Sequence, residues 1–328
     1  MTVATSFWWE SKNKGTLKET KLSTLKKNYI EVQTFYSGIS TGTEALVGSQ
    51  SVSQSLEKNM ACNYMEGSFS LPIKYGYCLS GKVKSGEFEG RNVFLMHPHQ
   101  DKVHAHPNEV TFLPKELPLK RAILIPNLET AINAVWDSNI QVGYKVAIVG
   151  GGTIGLLIAN LIKDIPGVEV EIIEKNENKR TLISELQWNF SVSDGAQLKK
   201  ESFDLSFHTS GNPQGLQTAI DLIGYESKVI ELSWYGERES TLRLGESFHY
   251  NRKTIQCSQV SFVSSSVHSK FNYKRRMNLV LMLLKNPSLE KLITNEVSFK
   301  SLPEFMENLS KANNNQFLTR VRYPSCID

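Results

Sequence analysis

The sequence predicts an α/β protein in which a small, mostly antiparallel β domain is interrupted by a doubly wound parallel-sheet domain. Before about residue 120, short alternating or apolar runs are separated by Gly, Pro and Asn, a pattern typical of antiparallel strands. Between about residues 119 and 260, strand-like and helix-like stretches alternate, which favours a parallel sheet covered on both faces. Helical patterns and one more strand-like run follow, so the C-terminal part is expected to pack back on the first domain.

The strands of the first domain are predicted from short runs rich in apolar, β-branched and aromatic residues that end at turn residues. These runs are Ile30–Tyr36, Cys78–Val83, Val93–Met96 and Val110–Leu113, with Leu318–Val321 as the matching run near the C-terminus.

The inserted domain is predicted from the alternation of helical and strand patterns. A helix at Glu129–Asp137 precedes the apolar strand Lys145–Val149. The apolar helix pattern Thr153–Ile165 then leads to a second strand at Val168–Ile173. The run Gln259–Ser265 is predicted as an edge strand of this sheet.

Two helices are predicted after the inserted domain, at Tyr273–Leu284 and Leu302–Ser310. The first contains the basic run Lys274, Arg275 and Arg276, which we interpret as a solvated helix end.

Composition and charge exclude several classes of protein. The chain has 328 residues, of which 40% are hydrophobic, and 37 basic residues nearly balance 33 acidic ones, which argues against a nucleic-acid partner. The four cysteines form no CxxC pair, so the sequence predicts no disulfide framework and favours a reducing compartment. The first residues lack a signal-peptide pattern and no apolar run is long enough for a membrane span, so we expect a cytoplasmic protein.

The strongest motif is KVAIVGGGTIG, which carries GxGxxG at Gly150, Gly152 and Gly155. It follows an apolar strand and opens a helix, the context that a dinucleotide-binding loop requires. The first glycine permits a tight turn, the second leaves room for a pyrophosphate and the third allows close helix–strand packing. The helix N-terminus at Thr153 and Ile154 would offer N–H groups to the phosphates. The structural alternative is that these glycines only pack the helix on the strand.

The second strand ends at Glu174, an acidic residue placed to bind the ribose of the cofactor. It lies 19 residues after Gly155, where a carboxylate accepts hydrogen bonds from the ribose 2′-OH and repels a 2′-phosphate. Glu174 therefore favours NAD over NADP, although the neighbouring cation Lys175 weakens the preference.

Two later loops are expected near the cofactor, because ligands bind outside the carboxyl ends of parallel strands. One loop contains Thr209 and Ser210 after His208, and the other contains Ser233 and Trp234. The indole could stack near a nicotinamide or belong to the core, and the histidine could contact the ligand or have no role.

In these stretches the chain resembles the medium-chain dehydrogenase/reductase superfamily. The resemblance is carried by YSGISTGTE, KYGYCLSG, NLETAINAVWD, GGGTIGLL and ELSWYG. Within the superfamily, the chain looks like the zinc-type alcohol dehydrogenase-like subgroup, and SGISTGTE is similar to a stretch of bacteriochlorophyllide hydroxyethyl dehydrogenases.

The resemblance implies a particular division of the chain. A GroES-like catalytic domain is expected over residues 1–122, a Rossmann NAD-binding domain over residues 123–262 and a return to the catalytic domain over residues 263–328. It also implies a small-molecule substrate and a homodimer, with no nucleic-acid or membrane partner.

The resemblance further implies that the catalytic zinc is absent. The positions that hold the metal in zinc-dependent members fall on Ser40, Tyr77 and either Pro126 or Asn127, which lack the thiolate, imidazole and carboxylate that zinc prefers. A non-standard metal site around His97 and His99 is the alternative, although we interpret these as core or solvated histidines.

Without a metal, the chemistry is expected to use hydroxyl and carboxylate side chains. The resemblance implies that Thr43 bonds the substrate oxygen, and Ser40 is a further candidate catalytic residue. Tyr77 is the predicted proton donor, particularly if a neighbouring cation lowers its pKa. Glu129 would anchor substrate or act as a base, and Glu44 occupies the place of the usual acid. The structural alternatives are a turn cap for Thr43, an arginine ion pair for Glu44 and a space-filling role for Tyr77.

These observations predict an NAD(P)-dependent oxidoreductase that interconverts an alcohol and a carbonyl, with NAD the expected cofactor and NADP less favoured. One alternative is an enone or quinone reductase of the zinc-free branch. Another is a non-catalytic dinucleotide-binding protein that kept the fold and lost the chemistry.

Overall fold

The computed structural model describes residues 2–309 and 315–326. The chain divides into two compact units, one formed by residues 1–126 with 281–328 and the other by residues 127–280. Each unit is built on its own sheets, so we describe each by itself.

The strands, in chain order, are β1 Val3–Ser11, β2 Lys14–Lys21, β3 Ile30–Ile39, β4 Glu66–Gly67, β5 Ile73–Lys74, β6 Leu79–Val83, β7 Asn92–Leu95, β8 Lys102–Ala105, β9 Val110–Phe112, β10 Lys145–Val149, β11 Glu169–Ile173, β12 Ser191–Ser193, β13 Phe203–His208, β14 Ile223–Glu231, β15 Thr254–Cys257, β16 Ile293–Ser298 and β17 Leu318–Arg322. The helices are α1 Thr41–Gly48, α2 Glu57–Met60, α3 Leu119–Ala122, α4 Ile125–Ser138, α5 Thr153–Ile162, α6 Glu177–Glu185, α7 Pro213–Leu222, α8 Ser247–Tyr250, α9 Tyr273–Leu283 and α10 Leu302–Glu307. Short 3₁₀ turns lie at Gln54–Leu56, Pro107–Glu109, Pro287–Leu292 and Phe299–Ser301.

The first unit is built on two mainly antiparallel sheets. The seven-stranded sheet has the order β16-β17-β3-β6-β7-β9, with β8 also paired to β3, and the four-stranded sheet has the order β2-β1-β5-β4. Among the described strands of this unit, only β16 and β17 pair in parallel. Alternate residues of the strands face a common core, because the side-chain period of a strand is two. This core contains Ile30, Val32, Leu79, Val83, Val93, Leu95, Val103 and Ala105.

The second unit is built on one six-stranded parallel sheet in the order β12-β11-β10-β13-β14-β15. This order corresponds to 3-2-1-4-5-6, the arrangement of the doubly wound dinucleotide-binding fold. Apolar residues of α7 pack on β10, β11 and β14 in the core, which contains Ala147, Val149, Ile173, Leu216, Ala219, Ile220, Leu222, Ile223 and Val229. The order of the strands reverses between β10 and β13, and such a reversal is where ligands bind in these sheets.

The predicted α/β class is confirmed, with antiparallel sheets in one unit and a Rossmann sheet in the other. The predicted edge strand Gln259–Ser265 is wrong, because the edge is β15 and residues 259–265 form turns and coil. The hairpin of β1 and β2 was not predicted, since the polar sequence of β2 has no apolar alternation to mark it. The predicted helix Leu302–Ser310 corresponds to α10, and Ser310 lies outside the described residues.

No helix within residues 2–309 and 315–326 combines the length and apolar character needed to cross a lipid bilayer.

Candidate active site

The glycine loop lies at the carboxyl end of β10, beside the end of β13. Gly150 has a φ of +116°, a backbone conformation that other residues rarely adopt. A Cβ at this position would lie 2.7 Å from the backbone nitrogen of Ser210, so only glycine allows the two chain segments to approach so closely. The loop is thereby fixed at the point where the order of the strands reverses.

The space in front of α5 is open. Gly152 is the N-cap of α5, no side chain caps the helix, and no heavy atom lies within 4 Å of a Cβ placed at this glycine. The first N–H groups of α5, at Thr153 and Ile154, are the orphan donors of a helix N-terminus and carry its partial positive charge. Gly155 faces the opposite direction, because its Cβ would lie 2.2 Å from the carbonyl oxygen of Gly150.

Glu174 follows β11 directly and its carboxylate is bound to the glycine loop. Oε2 accepts a hydrogen bond from the backbone N–H of Gly151 at 3.1 Å, and Oε1 accepts one from the N–H of Asn176 at 2.9 Å. Lys175 directs its Nζ to the carbonyl oxygen of Asp194 at 2.7 Å. Arg180, which the sequence analysis did not single out, donates to the carbonyl oxygen of Glu174 at 2.9 Å. The acidic residue and the glycine loop are thus brought together.

The loops that follow β13 and β14 meet at the same edge of the sheet. Thr209 Oγ1 donates to the carbonyl oxygen of Gly150 at 2.8 Å, and Ser233 Oγ accepts from the N–H of Gly211 at 3.0 Å. Ser210 is exposed, and Trp234 is partly exposed. The loops that carry the predicted cofactor residues therefore meet at the carboxyl ends of β10, β13 and β14, where this fold is expected to form the crevice for its ligand.

A cluster of hydroxyl groups lies at the start of α1 in the other unit. Tyr77 Oη donates to Ser40 Oγ at 2.5 Å and lies 3.4 Å from Thr43 Oγ1. YSGISTGTE thus forms the end of β3 and the first turn of α1, with Ser40 as the N-cap. Burial raises the pKa of Tyr77 above that of a free phenol, and the hydroxyls of Ser40 and Thr43 oppose this only in part. Tyr77 therefore stays protonated. The hypothesis that a neighbouring cation lowers its pKa is wrong.

Glu44 contacts both the N-cap residue of this hydroxyl cluster and a buried histidine. Its Oε1 accepts from the backbone N–H of Ser40 at 2.8 Å, and its Oε2 lies 3.0 Å from Nε2 of His99. Nδ1 of the same imidazole lies 2.7 Å from Ser37 Oγ. The alternative that Glu44 pairs with an arginine is wrong, because its partner is His99 in the loop between β7 and β8.

Glu129 lies in the second unit, on α4, and its carboxylate is engaged by a buried arginine. Arg276 donates from Nε to Glu129 Oε1 at 3.1 Å and from Nη1 to Asn133 Oδ1 at 3.1 Å. Burial raises the pKa of Glu129, while Arg276 opposes the rise. The interpretation of residues 274–276 as a wholly solvated helix end is wrong for Arg276, which is buried.

Comparisons with known proteins agree with this arrangement, although no protein-family model matches the chain. The chain is 24% identical over 203 residues to D-guloside 3-dehydrogenase of Escherichia coli K12, and the match covers 58% of each protein. It is 38% identical over 126 residues to 2-dehydro-3-deoxy-L-galactonate 5-dehydrogenase of Pseudoalteromonas atlantica, covering 36% of this chain and 37% of that protein. The chain therefore matches only about a third to three-fifths of the length of these curated relatives.

Solved structures match nearly the whole chain. An alcohol dehydrogenase of Escherichia coli CFT073, solved with NADH, superposes with a TM-score of 0.74 at 13% identity and covers 98% of this chain and 100% of that one. TarJ of Staphylococcus aureus, solved with NADPH, superposes with a TM-score of 0.72 at 16% identity and covers 98% and 99%. At such identities the likeness shows the fold.

These similarities agree with the resemblance of the chain to the medium-chain dehydrogenase/reductase superfamily. The site can therefore be tested for the two groups that this resemblance implies, a dinucleotide and a zinc ion. The dinucleotide fits, because Gly152 leaves an open space at the uncapped N-terminus of α5 and Glu174 lies beside it.

The residues at the family's zinc positions do not fit a metal. Ser40 and Tyr77 supply hydroxyl groups that bond to each other, and neither is a thiolate, imidazole or carboxylate. His97 and His99 are buried, with His97 Nδ1 at 2.8 Å from the carbonyl oxygen of Pro98. Within the described parts of the chain, no group of three or more His, Cys, Asp or Glu side chains is placed to hold a metal ion.

Three partners of these site residues were not predicted from the sequence. His99, Arg276 and Glu231 are distant in sequence from the groups they contact. Glu231 carried one usable signal, since an acidic residue directly after the apolar pair Val229 and Ile230 of a strand needs a buried partner.

Proposed function

We propose that the protein is an NAD(P)-dependent oxidoreductase that interconverts a secondary alcohol and a carbonyl without catalytic zinc. The observation that carries this proposal is the open N-terminus of α5 in front of Gly152, in a Rossmann sheet with Glu174 beside the loop. The curated relatives are named as dehydrogenases of sugar derivatives, which supports a polyhydroxylated alcohol or sugar acid as the substrate class.

The cofactor is held, in this proposal, by backbone groups at its phosphates and by a carboxylate at its ribose. The N–H groups of Thr153 and Ile154 bind the pyrophosphate, and Gly152 leaves the space that it occupies. Glu174 accepts hydrogen bonds from the ribose hydroxyls, which favours NAD. In this proposal the crevice is lined by Thr209, Ser210, Ser233 and Trp234. The Nζ atom of Lys175 is directed elsewhere and donates to the backbone carbonyl oxygen of Asp194.

When bound, the nicotinamide supplies or accepts the hydride, and the protein has to manage the accompanying proton. Tyr77 carries that proton on Oη, because burial raises its pKa and keeps the phenol neutral. A developing alkoxide is more basic than a phenol, so Oη donates to the substrate oxygen during reduction. The contact with Ser40 Oγ fixes the direction of the Tyr77 side chain; when the phenol proton turns to the substrate oxygen, the Ser40 hydroxyl donates to Oη instead, and Thr43 offers a second hydroxyl to the substrate oxygen.

The absence of zinc is supported by the donor atoms. A hydroxyl pair cannot supply the charge that a divalent cation supplies to an alkoxide, so the substrate oxygen is stabilised by hydrogen bonds alone. Besides Glu174, a second carboxylate has a role in this proposal. The raised pKa of Glu129 suits a general base or a substrate anchor.

Calorimetric titration of the purified protein with NADH and with NADPH tests the cofactor proposal. We expect NADH to bind more tightly, and we expect Glu174→Gln to reduce or reverse that preference. Glu177→Gln, an exposed position in the first turn of α6, is the matched control and should not alter it. If neither reduced coenzyme binds, the proposed function is wrong.

A substrate panel then tests the reaction. NAD⁺-dependent oxidation of polyols and sugar acids, and NADH-dependent reduction of the matching ketones, should be followed at 340 nm together with the metal content of the protein. Turnover of an alcohol–ketone pair by metal-free protein is the expected outcome. Turnover of enones or quinones alone, or loss of activity on chelation of a bound metal, would contradict the proposal.

A further inference from the structure

A serine, a histidine and a glutamate form a continuous hydrogen-bonded series in the second unit. Ser210 Oγ lies 2.7 Å from Nε2 of His208, and Nδ1 of the same ring lies 2.8 and 3.0 Å from the two carboxylate oxygens of Glu231. His208 and Glu231 are buried, whereas Ser210 is exposed. The series therefore connects a buried carboxylate to an exposed serine residue.

The partners of His208 determine its tautomer. A carboxylate only accepts hydrogen bonds, so the Nδ1 atom between the two oxygens of Glu231 carries the proton. In the neutral ring Nε2 then bears a lone pair, and the Ser210 hydroxyl donates to it. This is the tautomer that allows an imidazole to remove a proton from a serine.

Glu231 is held in place by further donors. The backbone N–H of Ser233 donates to Oε1 at 2.6 Å, and Tyr235 Oη donates to Oε2 at 3.2 Å. Burial and the nearby carboxylate raise the pKa of Tyr235, so its phenol stays protonated and remains a donor. The carboxylate is thus directed at the ring and placed to stabilise the imidazolium that forms when Nε2 accepts a proton.

The start of α7 leaves room for this contact. A Cβ on Gly215 would lie 2.3 Å from Ser210 Oγ and 2.8 Å from His208 Nε2, so any side chain there would displace the pair. The N–H of Asn212 donates to Ser210 Oγ at 3.2 Å, which further fixes the hydroxyl. Ser210 lies between the end of β13 and the N-terminus of α7, at the strand-to-helix turn where hydrolases also place a nucleophile.

The first unit contains a similar series that serves as an internal comparison. Ser37 Oγ lies 2.7 Å from Nδ1 of His99, whose Nε2 lies 3.0 Å from Glu44 Oε2. All three side chains are buried, and Ser37 is also bonded to Tyr323 Oη at 3.1 Å. The bonding alone therefore does not distinguish the two series. Exposure of the serine residue distinguishes them, because Ser210 is exposed and open to an external electrophile whereas Ser37 is fully buried.

We propose that Ser210 is a nucleophilic serine, activated by His208 and Glu231, that accepts an acyl or phosphonyl group from esters with a good leaving group. With an activated carboxylic ester, the bond from Oγ to the acyl carbon forms as the bond to the leaving oxygen breaks. The hydroxyl proton passes to His208 Nε2 and then to the leaving group or to water. This reaction involves no hydride and requires the cofactor-free site, so it is tested separately from the proposed oxidoreductase function.

A fluorophosphonate probe tests this proposal on cofactor-free protein, because a dinucleotide in the glycine loop would cover Ser210. In the labelling step the bond from Oγ to phosphorus forms, the phosphorus–fluorine bond breaks, and the proton leaves through His208. The rate is followed by intact mass and the position by peptide mapping. We expect one adduct, on Ser210, and none on Ser37.

Four variants complete the experiment. Ser210→Ala should not be labelled, and His208→Gln and Glu231→Gln should slow labelling by about 100-fold or more, as loss of a general base does. Ser202→Ala is the matched control: Ser202 is exposed in the same unit, its hydroxyl donates to the Lys199 carbonyl oxygen, and its removal should not change the labelling rate.

Folding of each variant is checked by its thermal melt. The near-isosteric Glu231→Gln keeps the test decisive if His208→Gln does not fold. Absence of an adduct on Ser210 in folded wild-type protein, or equal rates in wild type and folded Glu231→Gln, would overturn the proposal.

Discussion

Glu44 and His99 contact each other in the interior of the first unit, with Oε2 and Nε2 3.0 Å apart and each side chain 1% exposed. The contact joins the first turn of α1 to the loop between β7 and β8. Since Glu44 also accepts from the backbone N–H of Ser40, it fixes the residue to which Tyr77 is bonded. The geometry of the hydroxyl cluster therefore depends on a histidine that is not part of it.

Removal of His99 should destabilise the protein strongly. In His99→Leu the buried carboxylate of Glu44 loses a partner, and we expect the free energy of unfolding to fall by about 3–5 kcal/mol. Urea denaturation measures the change. Glu169→Gln, which removes an exposed ion pair with Lys145, should lower the free energy of unfolding by less than about 1 kcal/mol. An equal loss in the two variants would contradict a special role for the Glu44–His99 contact.

Addition of one methyl group at Gly152 should weaken binding of a dinucleotide without changing stability. Its φ of −87° suits alanine and no heavy atom lies within 4 Å of the added Cβ, so the melting temperature of Gly152→Ala should equal that of the wild type. The methyl group would occupy the space left for the pyrophosphate, and we expect affinity for NADH to fall by about tenfold or more, equivalent to about 1.4 kcal/mol.

Gly245→Ala is the matched control, because that glycine also has open space around a Cβ but lies far from the loop in sequence. It should change neither the melting temperature nor the titration. Unaltered NADH binding by Gly152→Ala would show that the phosphates do not bind at this loop.

Replacement of Tyr77 by phenylalanine should separate turnover from binding. The phenol is the proton donor in the proposed reaction, so we expect kcat to fall by about 10²- to 10⁴-fold in Tyr77→Phe. The Kd for NADH should not change, because the Rossmann unit is untouched. Tyr64→Phe, which removes a hydrogen bond to Glu109 in the same unit, is the control and should retain full turnover. A Tyr77→Phe enzyme as active as the control would remove Tyr77 from the mechanism.

Acid should destabilise the fold through His97. Burial lowers the pKa of His97 from 6.5 to about 3. Between these values the unfolded chain binds a proton that the folded chain does not, so the free energy of unfolding falls as the pH drops below about 6.5. Above the unfolded pKa this contribution is fully present.

The variant His97→Gln cannot take up this proton. Its melting temperature should therefore fall less steeply than that of the wild type between pH 7 and pH 5. His249→Gln, at an exposed position, should keep the wild-type slope. Identical slopes for all three proteins would show that His97 does not titrate on unfolding.

The sequence identifies features that are local in the chain. The glycine loop, the strand before it, the helix after it and Glu174 lie within about thirty residues, and each has a recognised pattern. The α/β class follows from periodicity in the same way. The β1–β2 hairpin shows the limit of this method, because the polar strand β2 carries little apolar signal even though it pairs with β1 across a tight turn.

Features that join distant residues could not be predicted. Glu44 and His99 are 55 residues apart, and Glu129 meets Arg276 across 147 residues. Ser210 reaches Glu231 through His208, for which the sequence left open both a ligand contact and no role. A titratable side chain shows its chemistry in the sequence but not its partner, because burial and hydrogen bonding depend on which elements pack together.

The sequence by itself determined the doubly wound sheet, the glycine turn and the loss of metal-binding residue types at positions 40 and 77. Backbone conformation and ligand chemistry are properties of single residues and short spacings, so these conclusions needed no coordinates. Only the tertiary structure decided that Tyr77 bonds to Ser40, that Glu44 turns to His99 and that Ser210 is exposed while Ser37 is buried. Those relationships depend on folding, which brings distant groups within hydrogen-bonding distance and removes water from some of them.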